Sequence, residues 1–138
     1  KGGLNMRLKD KVAIITGGGK GIGFGLAKAF AKEGANLTIT GRTMSRLEAA
    51  KEKLEAEYGV KVLPSTADGA DEASVANVVK QTVETFGHID TVVNNAQVSK
   101  SGVMLKDHTK EDFDLAIYSG LYATFFYMRD EYPYLKES

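Results

Sequence analysis

The fold of this chain is decided by one stretch near its start, Val12-Ala13-Ile14-Ile15-Thr16-Gly17-Gly18-Gly19-Lys20-Gly21-Ile22-Gly23. The apolar residues 12–15 are too few for a helix and predict a strand, whereas residues 24–32 have helical spacing. A plain strand-to-helix turn would need only one glycine. Because glycine lets the backbone approach a pyrophosphate, and because the first N–H groups of a helix face an anion, the cluster favours a phosphate-binding turn. One apolar face of the helix is predicted to carry Ile22, Leu26, Ala29 and Phe30.

The spacing of these glycines is specific. No register fits G-x-G-x-x-G, but Gly17, Gly21 and Gly23 fit the longer pattern G-x-x-x-G-x-G. A P-loop is excluded because Lys20 is followed by glycine and not by Ser or Thr. With Thr16 in front, the motif resembles that of the short-chain dehydrogenase/reductase family. The resemblance implies a Rossmann-like oxidoreductase whose dinucleotide lies against Gly17, Gly19, Lys20, Gly21 and Ile22.

Composition excludes several other classes of protein. The 138 residues suit one domain, and 18 basic residues balance 18 acidic ones, so there is no general attraction to nucleic acid or to an anionic membrane. Without cysteine there is no disulfide and no thiolate metal site, and His88 and His108 lack metal-ligand spacing. The longest uncharged stretch, residues 115–128, is too short to span a bilayer. We therefore expect a cytoplasmic protein without a metal, in which residues 1–5 are an added tail ahead of Met6.

Strand-like and helix-like segments alternate along the chain, which predicts an α/β fold with a doubly wound parallel sheet. The family resemblance implies the strand order 3-2-1-4. Ser45 and Glu48 have capping-box spacing, and Gly34, Gly59 and Gly87 stand at predicted helix ends. The predicted strands are residues 12–16, 37–40, 61–66 and 89–93, and the predicted helices are residues 21–33, 45–57, 71–86 and 109–128.

The end of the second strand, where the choice between NAD and NADP is made, carries Gly41 and Arg42. An acidic residue at this point would bind the ribose hydroxyl of NAD, whereas an arginine accommodates the 2′-phosphate of NADP. The acid is missing, and Lys20 adds a second cation, although both cations could also be plain surface charges. The sequence favours NADP over NAD.

Two further segments match the family at the ends of later strands. Asp68 and Gly69 follow the third strand, and by resemblance Asp68 hydrogen-bonds the adenine ring; a helix cap is its alternative role, for which Asp71 is better placed. The run Asn94-Asn95-Ala96-Gln97 follows the fourth strand and resembles Asn-Asn-Ala-Gly. By resemblance Asn94 braces neighbouring strands, and Asn95, Ala96 and Gln97 lie along the cofactor ribose, with Gln97 in place of the usual glycine.

Catalytic residues are expected to be absent from this chain. The resemblance covers only the amino-terminal half of the family, whose later half carries the catalytic Ser, Tyr and Lys. Tyr132 and Lys136 have the Tyr-x-x-x-Lys spacing, but they follow the fourth long helix and Pro133 is expected to interrupt it. Gly120 also stands where members of the family often have an asparagine.

These observations predict an NADP-preferring oxidoreductase, similar to 3-oxoacyl reductases, that acts on a small carbonyl or alcohol substrate. A non-catalytic dinucleotide-binding module, such as a redox sensor, and an inactive fragment remain alternatives. The 138 residues form one dinucleotide-binding domain, incomplete relative to the family. Its helix over residues 109–128 has apolar residues on more than one side, which predicts a homodimer or homotetramer through that helix.

Overall fold

The computed structural model describes residues 6–68, 71–95, 105–107, 109–111, 114 and 123–137. Five residues singled out from the sequence lie outside the described residues: Gly69, Ala96, Gln97, His108 and Gly120. The same holds for most of the predicted interface helix. Within it, Lys110 and Asp114 form an ion pair of 2.7 Å one helical turn apart.

Strands and helices alternate along the described chain as the sequence predicts. The elements are β1 (Val12–Thr16), α1 (Gly21–Lys32), β2 (Asn36–Gly41), α2 (Met44–Tyr58), β3 (Val62–Thr66), α3 (Glu72–Phe86), β4 (Thr91–Val93) and α4 (Ala123–Glu137), with a 3-10 turn over Leu105–Asp107.

The described strands form one parallel sheet in the order β3-β2-β1-β4, which confirms the predicted fold class and topology. Alternate residues of β1 face opposite layers, as the period of a strand requires. Ala13 and Ile15 pack with residues of α1 and α2, whereas Ile14 packs with residues of α3 and α4. The sheet is therefore covered on both faces.

Strand β4 begins at Thr91, two residues later than predicted. Before it, Asp90 donates its backbone N–H to the carbonyl of Val12 at 2.9 Å, while its Oδ2 accepts the backbone N–H of Val12 at 2.8 Å. A side chain thus supplies one of the two hydrogen bonds between these residues. His88 lies beside the same carboxylate, with its Nε2 at 2.7 Å from Oδ2, close to the end of α3 as expected for a helix-end histidine.

The predicted apolar face of α1 is wrong for Ile22 and Ala29. The structure buries the small residues Gly23, Ala27 and Ala31, while Ile22 is 78% exposed and Ala29 is exposed. The start of α1 lies so close to the end of β1 that only small side chains fit between helix and sheet. Phe24, Leu26 and Phe30 pack at the margins of this contact.

Helix ends follow the glycine prediction but not the capping-box prediction. Gly59 and Gly87 end α2 and α3 in the left-handed region, with φ of 72° and 89°. Ser45 does not cap α2, because the helix begins at Met44 and the cap position falls on Thr43. The backbone carbonyl of Thr43 accepts the first helical N–H groups instead.

Pro133 does not interrupt the last helix, contrary to the prediction. It lies inside α4, which continues to Glu137. Proline removes its own N–H from the helical ladder, and the remaining bonds carry the helix past it. In the part of the chain that the structure describes, every helix is too short or too polar to cross a membrane.

Helix α4 brings a buried carboxyl into the layer that it shares with α3. Glu131 is 5% exposed, and its Oε2 has no hydrogen-bond partner among the described residues. Burial and, to a smaller extent, the negative charge of Asp130 together raise the pKa of Glu131 to about 7. The unfolded chain has no such environment, so the folded protein holds this proton more tightly.

This difference predicts how stability changes with pH. Because the folded pKa is the higher one, the free energy of unfolding should fall as the pH rises from about 4.5 to about 7 and level off above that, with Glu131 contributing a loss of about 3 kcal/mol. Glu131→Gln should remove this loss and make the protein more stable than the parent at about pH 8. Urea unfolding at several pH values measures the difference. Glu84→Gln, at an exposed site on α3, is the matched control, and parallel curves for parent and Glu131→Gln would contradict the assignment.

Candidate functional site

The candidate site lies where the carboxyl ends of β1 and β4 meet the start of α1. The chain runs outward from β1 through β2 to β3 and then returns to β4 on the other side of β1. Ligands of open α/β sheets bind at such a reversal of strand order, beyond the carboxyl ends of the strands. The glycine turn predicted from the sequence occupies this position.

The turn is pressed against the protein on one side and open on the other. A Cβ at Gly23 would lie 1.9 Å from the carbonyl oxygen of Gly17, and a Cβ at Gly18 would lie 2.8 Å from Ile39 Cγ2. Gly21, by contrast, has no atom within 4 Å of its Cβ position, and its φ is +58°. Gly17 also has a positive φ, of 69°. Side chains are thus excluded on the protein side, while the other side leaves room for a ligand.

The start of α1 favours a negative charge. Lys20 occupies the cap position with extended backbone and no side-chain cap hydrogen bond, and the first helical turn contains no acidic residue. The first N–H groups of a helix carry a partial positive charge and need acceptors. Lys20 and Ile22 are both exposed beside them. An anion such as a phosphate would satisfy these groups.

Thr16 ties the ends of β1 and β4 together. Its hydroxyl donates to the carbonyl of Val93 at 3.2 Å and accepts the backbone N–H of Asn95 at 2.8 Å. The side-chain nitrogen of Asn95 lies 2.8 Å from the Cβ position of Gly23, which places this amide at the start of α1. Asn94 is predicted to brace the strands, but it is exposed. The hydrogen bonds that join the ends of β1 and β4 are instead those between the Thr16 hydroxyl and the backbone of Val93 and Asn95.

The end of β2 carries Gly41, and a larger side chain there would be crowded. A Cβ at Gly41 would lie 3.1 Å from Cδ2 of Leu47, and so would a Cβ at Gly19. Leu47 is 1% exposed and fills the space between the two glycines. An acidic side chain at position 41 would crowd it. Arg42 is exposed directly after the strand, and its side chain makes no ion pair or hydrogen bond within the described residues.

Asp68 lies at the same edge of the sheet as Arg42. The preceding residue, Ala67, donates its N–H to the carbonyl of Gly41 at 3.0 Å, so the ends of β2 and β3 remain joined. Asp68 is exposed. The cap of α3 is Asp71, which accepts the N–H of Ala73 at 3.0 Å, as predicted. The carboxylate of Asp68 is therefore not used as that cap.

One residue beside the site was not singled out for it from the sequence. Tyr127 of α4 is 2% exposed and packs in one cluster with Ile14 of β1 and the valines of α3. Burial raises the pKa of Tyr127 to about 12, against a smaller opposing effect of the Thr40 side chain. Tyr127 belongs to the helix predicted over residues 109–128, and nothing in its spacing links it to a strand so far away along the chain.

Among the described residues, no group of three or more histidines or carboxylates is gathered as a metal site. The residues brought together at the carboxyl edge are instead the glycine turn, Lys20, Arg42, Asp68 and Asn95. They offer backbone N–H groups, two cations, a carboxylate and an amide. This combination of charged and hydrogen-bonding groups suits a phosphorylated nucleotide.

Gly23 provides a direct test of this packing. Gly23→Ala should lower the free energy of unfolding by about 1–3 kcal/mol, because its methyl group would overlap the Gly17 carbonyl and force α1 away from the turn. Dinucleotide binding should be lost with it.

Gly25→Ala is the matched control, because it lies on the same helix and its Cβ position has no atom within 4 Å. It should be neutral or stabilising by about 0.5–1 kcal/mol. Chemical denaturation and a cofactor titration measure both variants. Equal behaviour of the two would show that the close contact at Gly23 is unimportant.

Comparison with known proteins agrees with this geometry. The family model described as short chain dehydrogenase matches residues 11–138. A 12alpha-hydroxysteroid dehydrogenase from Clostridium sp. is 58% identical over 134 residues, which cover 93% of this chain and 52% of that protein.

Solved structures give the same result. L-sorbose reductase from Gluconobacter frateurii, complexed with NADPH and L-sorbose, has a TM-score of 0.89 at 32% identity and covers 96% of this chain and 50% of that one. An alcohol dehydrogenase from the archaeon Thermococcus sibiricus, complexed with 5-hydroxy-NADP, has a TM-score of 0.87 at 33% identity, over 92% of this chain and 54% of that one. The chain spans about half the length of these relatives. It belongs to the short-chain dehydrogenase family.

Proposed function

We propose that this chain is the cofactor-binding part of an NADP(H)-dependent oxidoreductase that interconverts a carbonyl compound and an alcohol. The observation that carries the proposal is the end of β2, where Gly41 stands in place of an acid and is packed against Leu47, and where the side chain of Arg42 makes no ion pair or hydrogen bond among the described residues. A 2′-phosphate would provide that partner. The relatives solved with NADPH and with 5-hydroxy-NADP support the same choice of cofactor.

Each part of the dinucleotide has a matching group of residues in this proposal. The pyrophosphate would lie over Gly17, Gly19, Gly21 and Ile22 at the start of α1, with Lys20 and Arg42 toward the 2′-phosphate. The adenine would lie by Asp68 and Gly69, and the nicotinamide ribose by Asn95, Ala96 and Gln97. The bound cofactor supplies the hydride, while these residues bind and orient it.

The substrate side of the reaction is proposed to lie outside these 138 residues. Tyr132 is the tyrosine with the right spacing to a lysine, but it is 61% exposed. On a helix it points about 140° away from Tyr127, whose side chain faces the sheet. A further segment would pair with the edge strand β4 and bring the groups that exchange a proton with the substrate. Since the Clostridium relative is a hydroxysteroid dehydrogenase, a hydroxysteroid and its ketone are the first pair to assay.

Cofactor choice gives the first test. A charged hydrogen bond contributes about 1.5–3 kcal/mol, so NADPH should bind roughly ten- to a hundredfold more tightly than NADH. Arg42→Ala should remove most of that advantage and leave NADH binding unchanged. Lys53→Ala, an exposed cation further along α2, is the control and should change neither affinity. Fluorescence titration with both cofactors decides the matter, and equal affinities in the parent protein would refute the NADP assignment.

Turnover gives the second test and separates an enzyme from a non-catalytic module. Residues 1–138 alone should not oxidise NADPH in the presence of ketones, whereas the protein of natural length should. Tyr132→Phe in the natural-length protein should leave its rate unchanged, because this hydroxyl is proposed to contact no substrate. Activity of the short chain that disappears in Tyr132→Phe would make Tyr132 the catalytic residue. A natural-length protein that binds NADPH but reduces no ketone would favour the sensor alternative.

We also propose that the protein is at least a dimer through its last described helix and the residues before it. Phe125, Met128 and Tyr132 are large, exposed and spaced on one side of α4. A folded monomer needs only one buried helix face, and this second face would be covered by a second copy.

The proposed interface can be tested in solution. The double change Phe125→Asp and Met128→Asp should yield monomers at micromolar concentration in light scattering, because it would bury two unpaired charges in the contact. Met44→Asp, at an exposed methionine of α2, is the control and should leave the mass unchanged. A parent protein that is already monomeric would rule out the interface.

A further inference from the structure

Arg129 of α4 binds the first residue of α3. Its Nη2 lies 2.5 Å from Oε2 of Glu72, where α3 begins, and its Nε donates to Oδ1 of Asp130 at 3.0 Å. The guanidinium also lies over two aromatic rings of its own helix, with Cζ 5.7 Å from the ring centre of Phe125 and 5.4 Å from that of Phe126. One cation thus joins two helices.

These contacts favour the pair with Glu72 over an ordinary surface ion pair. Two exposed side chains usually gain little from pairing, because both lose conformational freedom. The Arg129 guanidinium is already held by Asp130 and lies within the range at which a cation is attracted to an aromatic ring. Its planar fork also offers separate N–H groups to the two carboxylates. Arg129 therefore fixes the first turn of α3 relative to α4.

The first turn of α3 in turn holds Asp68. The backbone N–H of Asp68 donates to the hydroxyl of Ser74 at 3.0 Å, and its carbonyl accepts the backbone N–H of Asp71 at 2.9 Å. The Asp71 side chain caps the same turn by accepting the N–H of Ala73. Because both backbone groups of Asp68 are bonded to this turn, a shift in the start of α3 moves Asp68 with it.

We infer that Arg129 is a positioning residue for the adenine end of the cofactor site: through Glu72 and the first turn of α3 it sets the position of Asp68. This inference rests on the proposed binding of NADP(H), with the adenine beside Asp68. Arg129 itself would touch no cofactor atom. At the other end of the site Asn95 is held by the Thr16 hydroxyl, so the nicotinamide ribose should not depend on Arg129.

A charge effect would give a different pattern from a positioning effect. Glu72 carries a negative charge near a site proposed for an anionic ligand, so removing Arg129 would also leave that charge without its neutralising partner. If this charge were what mattered, Glu72→Gln would strengthen binding. If Arg129 acts by positioning, Glu72→Gln weakens binding as Arg129→Gln does, because either change breaks the same pair. The sign of the Glu72→Gln effect separates the two explanations.

The test uses the natural-length protein with the variants Arg129→Gln, Glu72→Gln and their combination. Lys80→Gln and Glu84→Gln are the matched controls, because they remove exposed charges of the same two signs from α3 itself. Each protein is titrated with NADPH and with 2′,5′-ADP, which carries the adenine and the 2′-phosphate but no nicotinamide.

Amide hydrogen exchange without cofactor provides a second readout. The amide of Asp68 is bonded to the hydroxyl of Ser74, and the amide of Asn95 is bonded to the hydroxyl of Thr16. A general loss of stability would speed exchange at both amides, whereas a loss of positioning should speed it at Asp68 alone.

Arg129→Gln and Glu72→Gln should each raise the dissociation constants of NADPH and 2′,5′-ADP about two- to fivefold and speed exchange at Asp68. The double variant should be no worse than the more affected single one, and both controls should behave like the parent. Tighter binding in Glu72→Gln, additive effects in the double variant, faster exchange at Asn95 as well, or unchanged binding of 2′,5′-ADP would overturn the inference and leave the proposed function standing. Failure of the parent protein to bind NADPH would overturn the proposed function and this inference with it.

Discussion

The contact between Gly23 and the carbonyl of Gly17 is the constraint on which the rest of the site depends. A helix that starts so close to the end of a strand has no room for side chains on its inner face, so the residues that follow at helical spacing, Ala27 and Ala31, are small as well. The bulky residues of α1 are moved to its margins or to solvent. Because of this close approach, α1 buries less apolar side-chain surface. The same approach directs the first N–H groups of α1 into the crevice at the reversal of strand order.

Much of the fold could be predicted from the sequence because its signals are local. The alternation of short apolar runs with helical spacing identified every described strand, and the left-handed glycines at 34, 59 and 87 ended the helices where expected. Asp71 capped α3 because a side chain two residues before a backbone N–H reaches it wherever the rest of the chain lies. Family resemblance, not periodicity, provided the strand order.

The sequence predictions that proved wrong concern residues at which the packing of the folded chain overrides a local preference. The helical pattern of α1 favoured Ile22 as a buried residue, but the apolar gain of burying it is overruled by the geometry at Gly23. Ser45 could have capped α2, yet the backbone of Thr43 begins the helix earlier. The packing of Tyr127 in one cluster with Ile14 joins residues far apart in the chain, and no spacing rule encodes such a contact. Only part of the candidate site could therefore be predicted: its glycines and charges, but not the residues that hold them in place.

Threonine hydroxyls hold the strand ends and the glycine turn in place, and the position of these threonines in the sheet explains why. At the carboxyl end of a parallel sheet the strand ladder stops, and the next backbone groups need partners that β-structure no longer supplies. Thr16 supplies them between β1 and β4, and Thr40 supplies them between β2 and the glycine turn. Threonine suits the task because it is favoured in strands and also carries a donor and two acceptors. The turn can then remain free of side chains on its outer surface.

Packing at the end of β2 also determines which charges the site can carry. Cδ2 of the buried Leu47 lies 3.1 Å from the Cβ positions of both Gly19 and Gly41, so one side chain disfavours a larger residue at either position. Without a carboxylate at position 41 nothing within the described residues neutralises Arg42, and the exposed Lys20 lies in the neighbouring turn. In a chain whose total charge is zero, this edge of the sheet carries the two cations Lys20 and Arg42 against the single carboxylate of Asp68. In the proposed function, the packing of a buried leucine thus favours a glycine at position 41 and, with it, the ligand with the additional phosphate.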